Sequence, residues 1–250
     1  MANKIDFANI IIPDLPGFGN NSNLTEPFTL ENFVTSLMLF LESNKIKPNI
    51  IIGHSFGGKL SVLLEKKLKI DFMILLSPSI LNKRRFVDYY LKIFIYKILK
   101  NHRVFDKLTS KMGSEDYKVL NNIMKKTMST IINEKCIQEY KNINIPILLI
   151  FGSKDKTTPK YLGKKLRNYN KNSALITLEG DHFFYVKNEL LIIAILKEMM
   201  NNYEWNRFSS FNIGIPNIWF FIQVFYITKS ILWLKKIFFI YTSKQKNLFD

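Results

Sequence analysis

Cysteine is almost absent: Cys136 is the only one in 250 residues. No intramolecular disulfide can form, so the fold must stand on packing, and a reducing cytoplasmic compartment fits this better than secretion. Alanine is nearly as scarce, at positions 2, 8, 174 and 194. Acidic residues are outnumbered 20 to 36 by Lys and Arg, which leaves a formal charge of +16. Such an excess attracts phosphates. No recognition helix, zinc-ligand spacing or RNA-binding aromatic motif accompanies it, so the sequence argues against a nucleic-acid partner. Scarce Ala beside abundant Lys, Asn, Ile and Phe is what an AT-rich coding sequence yields, which gives the charge a compositional origin. The N-terminus lacks a basic stretch followed by a long apolar run, since Ile10 to Ile12 is cut short by Pro13 and Asp14, and no export signal is visible.

What is present alternates. Short β-branched runs at Ile10–Ile12, Asn49–Gly53, Phe72–Leu76, Ile145–Phe151 and Ala174–Leu178 read as buried strands. Between them, Leu30–Ser43, with Thr29 as cap, and the stretch carrying Leu60, Leu63, Leu64 and Leu68 have helical spacing. Further helices are predicted to begin near Pro159 and to run from about Lys187 to Asn201. Strands alternating with helices imply an α/β fold, a mostly parallel sheet covered on both faces. The predicted core is residues 1–79 and 144–202. It is interrupted at 80–143 by a strandless helical insertion holding 14 Lys or Arg against 6 Asp or Glu, half the net charge of the chain. Residues 203–250 form an apolar extension with 14 aromatic residues.

The chemistry centres on Gly53-His54-Ser55-Phe56-Gly57-Gly58, a G-x-S-x-G pattern that directly follows a strand and directly precedes a helix. A serine thrust out on so tight a turn needs neighbours without a β-carbon, the role given to Gly53 and Gly57. The helix start behind it turns unpaired amides toward a reacting carbonyl, and Phe56 would donate the first of them to an oxyanion. Serine needs a base, and the chain offers His54, His102 and His182. His54 adjoins the serine within the turn and His102 lies in Lys-rich helical sequence, so His182, in a loop after a strand, is the predicted base. Asp155 ends a strand-to-loop segment at the same edge of the sheet and is the predicted acid, with Asp181 and Glu179 ranked below it because neighbours in sequence rarely orient one another.

Together the segments 14–19, 53–58, 152–159 and 180–184 resemble those of the α/β-hydrolase superfamily over about residues 8–200, and are most similar to small esterases and carbon–carbon-bond hydrolases. The order Ser, Asp, His along the chain agrees with that family. The resemblance implies a serine hydrolase with Ser55, Asp155 and His182 as triad and a small-molecule acyl substrate. It implies no metal or organic cofactor, makes 80–143 a mobile lid, and gives Asp14 a loop-shaping role. Two features depart from the family. Its first strands are missing, including the third, whose His-Gly loop gives a second oxyanion amide. That strand lies between those corresponding to Ile10–Ile12 and Asn49–Gly53, and the expectation is that these two close up and pair directly. The other departure is Ile218–Ile240, long enough to span a bilayer but broken by Lys229, Lys235 and Lys236; a helix lying on a membrane surface is one reading of it. A catalytically impaired remnant and a membrane-associated interaction protein are the competing functions.

Overall fold

The computed structural model describes residues 4–21, 24–82 and 121–201, and the backbone of 237–241. In chain order the elements are β1 (Asn9–Ile11), α1 (Leu30–Ser43), β2 (Ile50–His54), α2 (Phe56–Glu65), β3 (Phe72–Leu76), α3 (Asn122–Asn133) and α4 (Ile137–Lys141). They continue with β4 (Ile147–Gly152), α5 (Lys160–Tyr169), β5 (Ser173–Leu178), the single turn α6 (Phe184–Lys187), α7 (Glu189–Asn201) and β6 (Ile237–Tyr241). Thr29 caps α1 as its sequence predicts: its hydroxyl accepts the Asn32 amide while the Asn32 side chain takes the Thr29 amide in return.

Strands β2, β3, β4 and β5 are neighbours in that order and all parallel, with Ile50 opposite Phe72, Met73 opposite Ile147 and Ile147 opposite Ser173. Side chains alternate across a strand, so each buried run feeds two cores. Ile51, Met73, Leu75, Leu149 and Phe151 face α1 to α5, whereas Ile50, Ile52, Ile74, Leu76 and Ile150 face Phe184, Ile192 and Leu196 of α6 and α7. Both faces are therefore covered, which is why these strands read as continuous apolar runs.

The expected direct pairing of the first two strands does not occur. β6, from the extension, lies between them and pairs antiparallel with both, with Ile240 opposite Ile10 on one side and Ile50 on the other. Its sequence, Ile-Phe-Phe-Ile-Tyr, is rich in residues that favour strands, and it supplies backbone partners to two edges that would otherwise face nothing. The end of the apolar stretch 218–240 is accordingly sheet and not interfacial helix; residues 218–236 lie outside the described residues. No helix among the described residues is long and apolar enough to cross a membrane.

The insertion 80–143 is helical where it is described. Met124, Met128, Ile131 and Tyr140 are buried in the same core as α1 and α2. Thr127 accepts the Phe28 amide, and the Glu134 carboxylate takes the amide of Leu30 at the start of α1. Residues 121–143 thus pack into the core, while 83–120 lie outside the described residues. The tightest of these ties is Lys59, only 3% exposed, whose Nζ donates to the Ile131 and Glu134 carbonyls at the end of α3 (2.8 and 2.9 Å). Burial lowers its pKa, and the neighbouring Cys136 and Glu134 work in the opposite direction. Lys59→Met keeps the stem but leaves two buried carbonyls unpaired. It is expected to cost about 1–3 kcal/mol, visible as a lowered midpoint in urea with an unchanged slope.

Candidate active site

β2 ends at His54 and α2 begins at Phe56, so Ser55 alone makes the turn, at φ 53° and ψ −111°. A non-glycine residue at this positive φ costs on the order of 1–3 kcal/mol, and the surroundings hold it there: the Ser55 amide donates to Leu76 O at 3.0 Å, and Ser55 O accepts the amides of Gly58 and Ser79. The flanking glycines have steric reasons. A β-carbon on Gly53 would run into the Ser61 hydroxyl and lie 2.6 Å from Gly57 O, and one on Gly58 would lie 2.7 Å from the Pro78 side chain. Gly57 also accepts the Ser61 hydroxyl through its carbonyl, at 2.8 Å. Phe56 heads α2, and the first amides of a helix lack partners within it; its ring packs edge-on against Phe33, which fixes the helix start.

Asp155 and His182 reach this serine from beyond the ends of β4 and β5. His182 Nε2 is 3.1 Å from Ser55 Oγ, and Nδ1 is 2.8 Å from Asp155 Oδ2. A carboxylate only accepts, so Nδ1 carries the proton and Nε2 is left to accept from the serine. Gly152 lets the two loops meet, since a β-carbon there would strike the Asp181 carbonyl and come 2.7 Å from that of Gly180.

Asp155 is fully enclosed yet richly bonded. Oδ1 accepts the amides of Thr157 and Thr158, and Oδ2 accepts the hydroxyls of Ser77 (2.7 Å) and Thr158 (2.8 Å) besides the imidazole. Burial by itself would raise its pKa, but the hydrogen bond and charge of His182, with the bonds from Ser77 and Thr158, hold the carboxyl well below the usual carboxylate range.

The lower-ranked groups are engaged elsewhere. Glu179 pairs with Lys154 at the surface (2.8 Å), and Asp181 accepts the Phe183 amide. Asp14 accepts the amide of Asn20 and packs against Gly19, shaping its loop as expected. His102 lies outside the described residues. Among the described residues no group of three or more His, Cys, Asp and Glu side chains is placed to hold a metal ion.

Residues 6–94 match a family model described as alpha/beta hydrolase fold. The esterase EaEST from Exiguobacterium antarcticum superposes with a TM-score of 0.56 at 14% identity, covering 75% of this chain and 80% of that one. The bromoperoxidase from Bacillus anthracis gives 0.56 at 19% identity, with 76% and 80% covered. The chain has the α/β-hydrolase fold. A Mycoplasma genitalium protein whose name places it among the esterases and lipases is 30% identical over 58% of this chain, which spans 60% of the relative's length. The pimeloyl-[acyl-carrier protein] methyl ester esterase of Wigglesworthia glossinidia brevipalpis is 24% identical, with 79% of this chain and 85% of the relative covered.

Three residues of this site escape sequence reasoning. Ser77 follows β3 at the same edge of the sheet as Ser55, has φ 43°, and stands behind the acid. Thr158 belongs to Asp-Lys-Thr-Thr-Pro, where a carboxylate taking the amides two and three residues on is an ordinary turn; that signal was available. His54, discounted as a base, donates through Nε2 to the His182 carbonyl at 3.0 Å.

Proposed function

We propose that this α/β-hydrolase is a serine hydrolase that cleaves an ester, or another activated acyl compound, through an acyl-enzyme on Ser55. The observation that carries the reading is the continuous line from Ser55 Oγ through both His182 nitrogens to an enclosed, ionised Asp155. His182 Nε2 takes the hydroxyl proton as Ser55 Oγ bonds to the acyl carbon, and the imidazolium formed is stabilised by Asp155. The resulting oxyanion lies over the start of α2, where the Phe56 amide donates to it. Collapse breaks the bond to the leaving oxygen, which receives the proton from His182. Water then attacks the acyl-enzyme, gives a proton to the same nitrogen, and restores Ser55 as the acid departs. Relatives named as esterases support the ester class. The basic excess of the insertion 80–143 favours substrates carrying an anionic group.

Labelling with a fluorophosphonate tests the reading. Wild type is expected to be modified at one site, and Ser55→Ala, with an unchanged far-ultraviolet circular dichroism spectrum, is expected to be unreactive; a folded wild type that resists the probe, or a Ser55→Ala variant that still reacts, ends it. The pH profile of labelling is further expected to carry no step from Asp155 in the ordinary carboxylate range, because its carboxyl stays ionised below that range; such a step would contradict this.

A further inference from the structure

The two nitrogens of His182 fix the direction of its ring, but where the ring sits depends on the backbone of the loop between β5 and α6. That loop is tied to β4 and its exit through Ser153 N to Leu178 O (2.8 Å) and Lys154 N to Gly180 O (2.9 Å), and it turns at Gly180 with φ 139°. Neither bond involves residue 182. Among the described residues, the side chain that bonds the His182 backbone is that of His54, with Nε2 3.0 Å from the carbonyl oxygen. Strand parity puts it there: Ile50, Ile52 and His54 share one face of β2, the face covered by Phe184 and the helices that follow the His182 loop. His54 is 2% exposed, and its ring centroid lies 4.7 Å from that of His182, 4.7 Å from that of Tyr185 and 5.7 Å from that of Phe183. A carbonyl can only accept, so His54 Nε2 carries the proton.

We propose that His54 is a positioning residue for the base: its Nε2–H holds the His182 carbonyl, and its ring supports the imidazole from below, so that Nε2 of His182 stays within reach of Ser55. The inference rests on the serine-hydrolase reading for its kinetic consequence and on geometry alone for its structural one. A displacement of about 1 Å at a reacting group costs roughly 10²-fold in rate, so loss of this tether lowers turnover without changing how substrate is bound.

The test uses the full chain with His54→Gln, His54→Asn and His54→Phe. The glutamine amide reaches the place of Nε2, the asparagine amide stops short, and phenylalanine keeps the ring without a donor. With p-nitrophenyl acetate, His54→Asn and His54→Phe are expected to lose roughly 10- to 100-fold in kcat with KM unchanged, and His54→Gln to recover to within a few-fold of wild type. Independently of activity, the far-downfield proton resonance of the His182–Asp155 hydrogen bond is expected in wild type, Ser55→Ala and His54→Gln, and to broaden in the other two. Equal turnover and equal resonances across Gln, Asn and wild type overturn the proposal, whether or not His54→Phe folds. A wild type that cleaves no ester but shows the expected pattern of resonances removes the hydrolase reading and leaves the positioning role standing.

Discussion

Asp155→Asn is expected to lower kcat by about 10⁴-fold while the chain still folds. The size follows from which atoms can donate. The asparagine oxygen replaces Oδ1 and keeps the amides of Thr157 and Thr158. Its NH₂ then faces Ser77, Thr158 and His182, where the native Oδ2 accepts from all three. The two hydrogens of the NH₂ serve the imidazole and the Ser77 hydroxyl, which turns round to accept, while the Thr158 hydroxyl donates to the Ser77 carbonyl instead. The imidazole has no such freedom: facing a donor, Nδ1 must give up its proton, the proton moves to Nε2, and the base now points a hydrogen at Ser55 Oγ. Stability falls as well. A carboxyl whose folded pKa lies below its unfolded value stabilises the fold above the unfolded pKa, and that contribution is lost as pH falls through the folded value. The melting difference between wild type and variant is therefore widest near neutral pH and shrinks in strong acid. Fluorophosphonate labelling of Asp155→Asn within tenfold of wild type, with the thermal transition still cooperative, would contradict the tautomer argument.

Much of this architecture could be read from residue patterns, for identifiable reasons. Strands buried on both faces have to be continuous apolar runs, so β3 lies at 72–76 as predicted, and β2 is displaced by a single residue. The elbow around Ser55 is legible because only glycine tolerates the approach of Ser61, Gly57 and Pro78. The meeting of Asp155 and His182 with Ser55 is legible because both occupy loops at strand ends on one edge of a parallel sheet. What stayed hidden depends on packing between distant segments. Nothing in the spacing around Lys59 says that its ammonium will cap a helix some 70 residues later. Nor does the sequence next to Ser55 reveal that His54 reaches a backbone oxygen 128 positions away. The strand at 237–241 was concealed by its setting, since an aromatic and β-branched run inside a longer apolar stretch has no period that separates strand from helix.

That strand carries the second large expected effect. A chain ending at residue 236 is expected to lose cooperative unfolding altogether. β6 stands between β1 and β2, opposite three residues of one and four of the other, and Ile50, Ile51 and Ile52 are at most 2% exposed. Removing it leaves inward-facing amides and carbonyls on both neighbours without partners, those of β2 within a wholly buried strand. At about 1–3 kcal/mol for each such group, a few suffice to cancel the roughly 5–15 kcal/mol by which a domain is stable. Phe239→Pro tests the same point within the full chain. Residue 239 lies opposite Ile11 and Ile51 at the middle of the strand, and proline there removes a ladder donor in an interior position where it is essentially never found. Ser55 is predicted to suffer in step, because β2, whose other edge pairs with β3, delivers the serine to its turn. The alternative is that β1 slides across and pairs directly with β2. In that case the chain ending at residue 236 would melt cooperatively near the wild-type temperature, Phe239→Pro would be harmless, and labelling at Ser55 would persist. The sheet would then need nothing from the far end of the chain.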